Sequence, residues 1–76
     1  MTILIVDDHP IVLKGIHALL ASSFAEARIM DAAGLEKAEQ MLNRHKVDIL
    51  ITDLDLNGES GSMLIEHVRD MQPATQ

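Results

Sequence analysis

Three carboxylates stand directly behind two strongly apolar segments of this 76-residue chain. Asp7 and Asp8 follow residues 3–6, and Asp53 follows residues 49–52. In a parallel α/β sheet, groups just past the carboxyl ends of neighbouring strands converge on one crevice, which is where such folds bind ligands. We therefore expect these three side chains to lie close together in the folded protein.

Carboxylates gathered in this way repel one another. At about 4 Å and an effective dielectric of about 20, each pair costs roughly 4 kcal/mol. Without a metal, this repulsion is expected to raise the pKa of at least one of them. A hard divalent cation with oxygen ligands relieves the repulsion, and Mg²⁺ is the usual choice. The sequence therefore predicts a Mg²⁺ site at Asp7, Asp8 and Asp53.

The composition argues against several other classes of protein. With 47% hydrophobic and 24% charged residues the chain is globular, and with one Phe and no Trp or Tyr its core must be aliphatic. A net charge of −6 disfavours direct nucleic-acid binding, which depends on Lys and Arg. The chain has no cysteine, and no apolar segment reaches the length of a membrane span. We expect a soluble cytoplasmic domain that contacts neither nucleic acid nor membrane.

The apolar pattern predicts the element order β-α-β-α-β-α. Continuous β-branched and aliphatic segments indicate strands, and apolar residues three and four apart indicate helices. The expected stripe of the first helix consists of Val12, Ile16, Leu19 and Leu20, and Asn57-Gly58 with Gly61 predicts a loop after the third strand. This order implies an α/β fold with parallel strands and right-handed crossovers. The expected strands are 2–6, 27–32 and 48–52, and the expected helices run from Pro10 to about Ser22, from Leu35 to near His45, and through Leu64, Val68 and Met71 to a stop at Pro73.

Residues 3–20 read ILIVDDHPIVLKGIHALL, and Asp53 ends the third predicted strand. In these features the chain resembles the receiver domain of two-component response regulators. It is especially similar to the branch that carries a C-terminal helix-turn-helix domain and regulates transcription. The resemblance implies a flavodoxin-like fold whose parallel sheet has the strand order 2-1-3 over the part of the receiver present here.

By this resemblance, Asp53 is the phosphoacceptor and takes phosphate from a phosphohistidine on a partner histidine kinase. Asp8 binds Mg²⁺ through its side chain, Asp7 helps through a water molecule, and Asp55 offers its backbone carbonyl. Gly61 matches the loop glycine of the family. The implied protein is a phosphorelay signalling module and not an enzyme.

Two departures from the family pattern affect this interpretation. Leu56 and Asn57 stand where the family usually has Met-Pro, and Asn57 lacks the ring that fixes φ. At about 20–25 residues for each βα unit, the chain holds only three of the five units of a receiver. We therefore expect residues 1–76 to be a single partial receiver domain without a DNA-binding domain. Lacking the switch Ser/Thr and the phosphate-binding Lys, the chain alone is expected to be phosphorylated poorly or not at all, with a rate or occupancy deficit of at least about tenfold.

Truncation is also expected to leave an apolar strand edge at residues 48–52. Exposed edges of this kind tend to associate, and the simplest closed assembly is a two-fold homodimer. The two copies of the strand then pair antiparallel within one continuous sheet. Exchange of elements between chains is the next arrangement to expect.

Other interpretations of the same residues stay open. Asp53 and Asp55 also resemble the Asp-x-Asp motif of haloacid-dehalogenase-type phosphatases, as nucleophile and general acid/base, but that leaves Asp7 and Asp8 unexplained. A partial receiver could instead act only as an interaction module. Asp7 and Asp8 could simply cap the following helix, and His9 is expected to be a solvent-facing or capping residue.

Overall fold

The structure of the protein is a computed structural model that describes residues 1–53, 55–56 and 59–71. The elements follow the predicted order, with a short antiparallel hairpin added after the third strand. Their bounds are β1 (Thr2–Val6), α1 (Pro10–Ser23), β2 (Arg28–Ala32), α2 (Leu35–Arg44), β3 (Ile49–Thr52), β4 (Asp55–Leu56), β5 (Glu59–Ser60) and α3 (Gly61–Met71).

The three longer strands form one parallel sheet in the order β2-β1-β3. The predicted α/β class and the strand order 2-1-3 are therefore confirmed. In the register, Val6 of β1 lies between Ala32 of β2 and Thr52 of β3. β1 is the central strand, and its residues 3–6 are all buried, as expected for a continuous apolar segment that is covered on both faces.

Most of the hydrophobic core lies on one face of the sheet, which we call the α2/α3 face. Side chains alternate between the two faces of a strand, so Leu4 and Val6 point to the same side, where α2 and α3 cover them. On α2, buried residues recur three and four positions apart and form one apolar stripe. The core on this face consists of Leu4, Val6, Met30, Ala32, Leu35, Ala38, Leu42, Val47, Leu56, Leu64 and Val68.

The opposite face, which we call the α1 face, is covered less completely. Ile3 and Ile5 are buried there, but α1 itself buries only Leu13. The stripe predicted for α1 is therefore partly wrong, because Val12 and Leu19 are exposed and the buried position belongs to Leu13. The physical reason is that α1 packs against β1 and β2 and leaves β3 largely uncovered.

The segment after β3 also differs from the prediction. Where a loop was expected, β4 and β5 pair antiparallel, with Asp55 opposite Ser60 and Leu56 opposite Glu59. Gly61 is not a loop residue but the first residue of α3. The Asn57-Gly58 step and the stop at Pro73 lie outside the described residues.

Candidate functional site

The carboxyl edge of the sheet positions the first and last of the predicted aspartates. The backbone N–H of Asp7 donates to the carbonyl of Ala32 at 3.1 Å, and the backbone N–H of Asp53 donates to the carbonyl of Val6 at 3.0 Å. These bonds continue the ladders of the sheet by one residue beyond the ends of the strands. Asp7 and Asp53 are therefore held on adjacent strand ends.

The structure brings four side chains together at this edge. Asp7, Asp8, His9 and Asp53 each offer one ligand atom, and these atoms all lie within 4.8 Å of one another. We call this group the acidic cluster. It contains three of the four residues that sequence reasoning proposed as metal ligands. The fourth, Asp55, lies in β4, and its side chain is outside the described part of the structure.

His9 belongs to the cluster, although it was expected to be only a solvent-facing or capping residue. Its backbone N–H donates to Asp7 Oδ1 at 2.8 Å, and its ring Nδ1 lies 2.7 Å from the same oxygen. The ring nitrogen is also 3.0 Å from Asp8 Oδ1 and 4.0 Å from Asp53 Oδ2. His9 is indeed the N-cap residue of α1 and is exposed to solvent. The signal for its contacts was the Asp-x-His spacing, because an Asp side chain readily bonds the backbone two residues later.

His9 determines the direction of the pKa shift of Asp7. The hydrogen bond from the His9 backbone N–H lowers the pKa of Asp7 more than partial burial raises it, and the nearby ring lowers it further. In return, the hydrogen bond to Asp7 and the charges of Asp8, Asp7 and Asp53 raise the pKa of His9 above its usual value. When it is protonated, the histidine offsets the mutual repulsion of the carboxylates.

One buried oxygen of the cluster has no hydrogen bond within the described part of the chain. Asp8 Oδ1 is buried and has no hydrogen-bond partner among the described residues, because its 3.0 Å approach to His9 Nδ1 is a charge contact without hydrogen-bond geometry. A buried polar atom left in this state is rare and calls for an explanation such as an ion. Three convergent carboxylates with one unsatisfied oxygen fit a hard divalent cation, which prefers oxygen ligands. The residues present therefore suit Mg²⁺ bound by Asp7, Asp8 and Asp53, with the His9 nitrogen outside the ligand set.

A second histidine–aspartate pair, which sequence reasoning missed, lies away from the cluster. His17 Nδ1 of α1 is 2.7 Å from Asp31 Oδ2 of β2. Both side chains are partly exposed, and no third ligand accompanies them among the described residues. The pair therefore joins α1 to β2 and is not a candidate metal site.

Residues 3–76 match the family model of the response regulator receiver domain. The chain belongs to the response regulator receiver family. Receiver domains are signalling modules of two-component systems and bind Mg²⁺ in an acidic pocket, which is what the acidic cluster offers here. In the described part of this receiver, no helix is both long enough and apolar enough to span a membrane.

Relatives of this receiver are longer proteins. It is 31% identical over 72 residues to the glycerol metabolism activator of Pseudomonas putida, a match that covers 93% of this chain and 33% of that protein. It is 32% identical over 59 residues to the nitrate/nitrite response regulator protein NarP of Escherichia coli, covering 78% of this chain and 27% of NarP. The chain thus spans about a third of the length of these relatives.

Solved structures share the fold of this receiver. The signal receiver domain of a DNA-binding response regulator from Colwellia psychrerythraea superposes with a TM-score of 0.86 at 23% identity, over 97% of this chain and 60% of that one. RcsB of Salmonella enterica serovar Typhimurium, bound to a promoter in the presence of the phosphomimetic BeF₃⁻, superposes with a TM-score of 0.82 at 29% identity. That match covers 99% of this chain and 39% of RcsB.

Proposed function

We propose that this receiver accepts phosphate at Asp53 from a phosphohistidine of a partner kinase. In this proposal Mg²⁺ is held by Asp7, Asp8 and Asp53, with the backbone carbonyl of Asp55 as a further ligand. The observation that carries the proposal is the graded exposure of the three clustered carboxylates. The Asp53 side chain is 34% exposed, whereas those of Asp7 and Asp8 are 13% and 20% exposed. The accessible carboxylate is the nucleophile, and the two recessed ones serve the metal.

The transfer step follows from this arrangement. An oxygen of Asp53 attacks the phosphorus, the P–N bond to the kinase histidine breaks, and the imidazole leaves with the electron pair and takes up a proton. The product is an acyl phosphate on Asp53. When bound, Mg²⁺ supplies charge neutralisation between the carboxylates and the phosphoryl oxygens. The His9 ring is 64% exposed and contacts Asp7 and Asp8 at the mouth of the cluster.

The comparison with a solved receiver domain supports the proposal that this chain contains the phosphoacceptor site. The superposition covers 97% of this chain and 60% of the solved Colwellia receiver domain, and the family model matches residues 3–76, which include the edge where Asp7, Asp8 and Asp53 converge. We infer that residues 1–76 contribute the part of a receiver that carries the phosphoacceptor. The kinase partner and a cytoplasmic location follow from the same assignment and form part of the proposal.

Two probes test the proposal on the intact chain. Acetyl phosphate with Mg²⁺ is expected to add one phosphoryl group at Asp53 at low occupancy, detected by mass spectrometry, and BeF₃⁻ is expected to bind weakly at the same residue, detected by ¹⁹F NMR. D53N should abolish both signals, and D8N should weaken both at least about tenfold, because one lost charge-assisted contact is worth roughly 1.5–3 kcal/mol. The matched control is Asp48→Asn, because Asp48 lies next to the opposite end of β3. This variant should behave as wild type.

A different result would favour the alternative of a pure interaction module. If the folded protein gives no adduct with either probe, and its Asp8 and Asp53 amide signals do not respond to millimolar Mg²⁺, the phosphoacceptor assignment is wrong. Modification at an aspartate outside the acidic cluster would contradict it equally. Circular dichroism of each variant shows whether the fold is intact.

A further inference from the structure

An imidazole nitrogen lies among the carboxylate oxygens of the acidic cluster. Nδ1 of His9 is 2.7 Å from Asp7 Oδ1, 3.0 Å from Asp8 Oδ1 and 4.0 Å from Asp53 Oδ2. Among the residues that the structure describes, no other group of three or more His, Asp and Glu side chains converges in this way. Mg²⁺ makes no use of the nitrogen, because it prefers oxygen ligands. The acidic cluster therefore contains a donor that a magnesium site does not explain.

Nitrogen and oxygen donors together favour a different class of metal ion. Imidazole suits Zn²⁺, Cu²⁺ and Ni²⁺, whereas carboxylate and water suit Mg²⁺. Zn²⁺ is bound by His nitrogen at about 2.0–2.1 Å and by Asp oxygen at about 2.0–2.2 Å, most often with four ligands in a tetrahedron. One imidazole and three carboxylates supply four such ligands.

The spacing of the four donor atoms suits an ion of this class. Ligand atoms at these bond lengths around a tetrahedral ion lie about 3.3 Å from one another. The three distances from His9 Nδ1 to the carboxylate oxygens fall on both sides of that value, and all four donor atoms lie within 4.8 Å of one another. Binding therefore requires only small adjustments of side chains that the fold has already brought together.

Two further observations support a cation that contacts His9. Asp8 Oδ1 is buried and has no hydrogen-bond partner in the described part of the chain, and such an atom calls for an ion or a similar partner. The backbone N–H of His9 donates to Asp7 Oδ1 at 2.8 Å, so the residue is anchored where its ring faces the same oxygens. The ring is 64% exposed, which leaves the cluster open to an ion from solvent.

We propose that the acidic cluster is also a site for a transition-metal ion such as Zn²⁺, bound by Nδ1 of His9 together with the carboxylates of Asp7, Asp8 and Asp53. In the bound state the lone pair of Nδ1 faces the ion and Nε2 carries the ring proton. His9 is then the residue that decides which class of ion the cluster prefers. This inference goes beyond the proposed function, because binding of Zn²⁺ requires neither Mg²⁺ nor a phosphoryl group.

Calorimetric titration of the intact chain with ZnCl₂ tests the proposal. The wild type is expected to bind one Zn²⁺ at the acidic cluster. His9→Asn removes the imidazole and keeps a residue type that is favoured at an N-cap. This variant should bind Zn²⁺ at least about tenfold more weakly, because even the loss of a group that only supports a metal ligand costs roughly 10–100-fold in affinity. Affinity for Mg²⁺ should fall by a smaller factor, since Mg²⁺ does not use the nitrogen.

His17→Asn is the matched control. His17 also lies on α1, and its Nδ1 is also 2.7 Å from a carboxylate oxygen, that of Asp31. No third ligand accompanies this pair among the described residues, so His17→Asn should bind Zn²⁺ as tightly as the wild type does. The contrast between the two variants holds whether or not Mg²⁺ binds.

NMR of the wild type keeps the test decisive if His9→Asn fails to fold. Long-range ¹H–¹⁵N spectra are expected to show Zn²⁺ on Nδ1 of His9, and Mg²⁺ should not produce this change. A folded protein that binds no Zn²⁺ at millimolar concentration would overturn the proposal. So would Zn²⁺ binding that leaves the His9 nitrogen without a metal, or His9→Asn weakening both ions equally. None of these measurements uses a phosphodonor, so their failure is distinguishable from failure of the phosphoacceptor proposal.

Discussion

The two faces of the sheet differ in how completely helices cover them. On the α2/α3 face, Leu4 and Val6 lie beneath two helices, and Leu64 is completely buried. On the α1 face, Ile3 and Ile5 lie beneath one helix, and apolar side chains beside them remain in solvent. The strand residues are equally apolar on both faces. The difference indicates that the sheet draws its packing stability mainly from the α2/α3 face.

The largest effect expected from this comparison concerns Leu64. Leu64→Ala removes a fully buried side chain from the α2/α3 face, and the lost burial and the resulting cavity should lower the free energy of unfolding by about 2–5 kcal/mol. Leu19→Ala makes the same chemical change on the α1 face and should cost less than about 0.5 kcal/mol in the monomer. Urea denaturation at high dilution measures both. Equal losses would show that the two faces contribute equally.

The next largest expected effect is the increase in the free energy of unfolding when Mg²⁺ binds. This increase does not involve the packing on either face of the sheet. At ten times its dissociation constant, a ligand that binds only the folded state stabilises it by about 1.4 kcal/mol. The wild type is expected to gain that amount over its stability in a chelator, whereas D8N should gain little. In the chelator, D8N should be as stable as the wild type or slightly more so, because it removes one of three mutually repelling carboxylates. Urea titrations with and without Mg²⁺ give the four values required.

A smaller effect is expected at the contact between α1 and β2. His17 and Asp31 form a partly exposed pair, and such pairs contribute about 0.2–1 kcal/mol. The coupling free energy from a double-mutant cycle of His17→Ala and Asp31→Ala isolates this contribution. A coupling of zero would mean that Leu13 and its apolar neighbours alone hold α1 to the sheet.

The smallest expected effect is a pH dependence of stability that arises from His9 and Asp7 at the carboxyl edge of the sheet. NMR titration should give His9 a pKa above about 6.5, and D7N should bring it down. Because this pKa is raised by folding, the contribution of His9 to stability is present at low pH and is lost as pH rises through the raised value. The pKa of Asp7 is lowered by folding, so its contribution is lost as pH falls through the lowered value. Both act together only in mildly acidic solution, and an unchanged His9 pKa in D7N would contradict the assigned contact.

The sequence was sufficient for those parts of the fold that depend on local pattern. Residues 3–6 and 49–51 are continuous apolar segments, and such segments predict parallel strands in the interior of a sheet. The prediction of the strands is confirmed for both, although only the β1 residues are buried. The convergence of Asp7, Asp8 and Asp53 then follows from topology, because neighbouring parallel strands end at the same edge. Neither deduction needs side-chain geometry.

Other features depend on contacts that a one-dimensional pattern does not contain. The stripe of α1 was partly wrong, because which side of an apolar helix is buried depends on which strands it covers. The β4–β5 hairpin was read as a loop, since strands of two residues give no periodicity to detect. The ring contacts of His9 depend on the turn that Asp7 makes. Each of these results from tertiary packing or backbone conformation.

The bonds from Asp7 N–H to Ala32 and from Asp53 N–H to Val6 have an evolutionary consequence. Both donors are backbone groups, which every residue except proline possesses. Substitutions at positions 7 and 53 can therefore change the chemistry at the edge of the sheet while the location of the crevice stays the same. The site can lose or gain a reaction by point mutation, and selection can act on its side chains without first having to rebuild the scaffold that holds them.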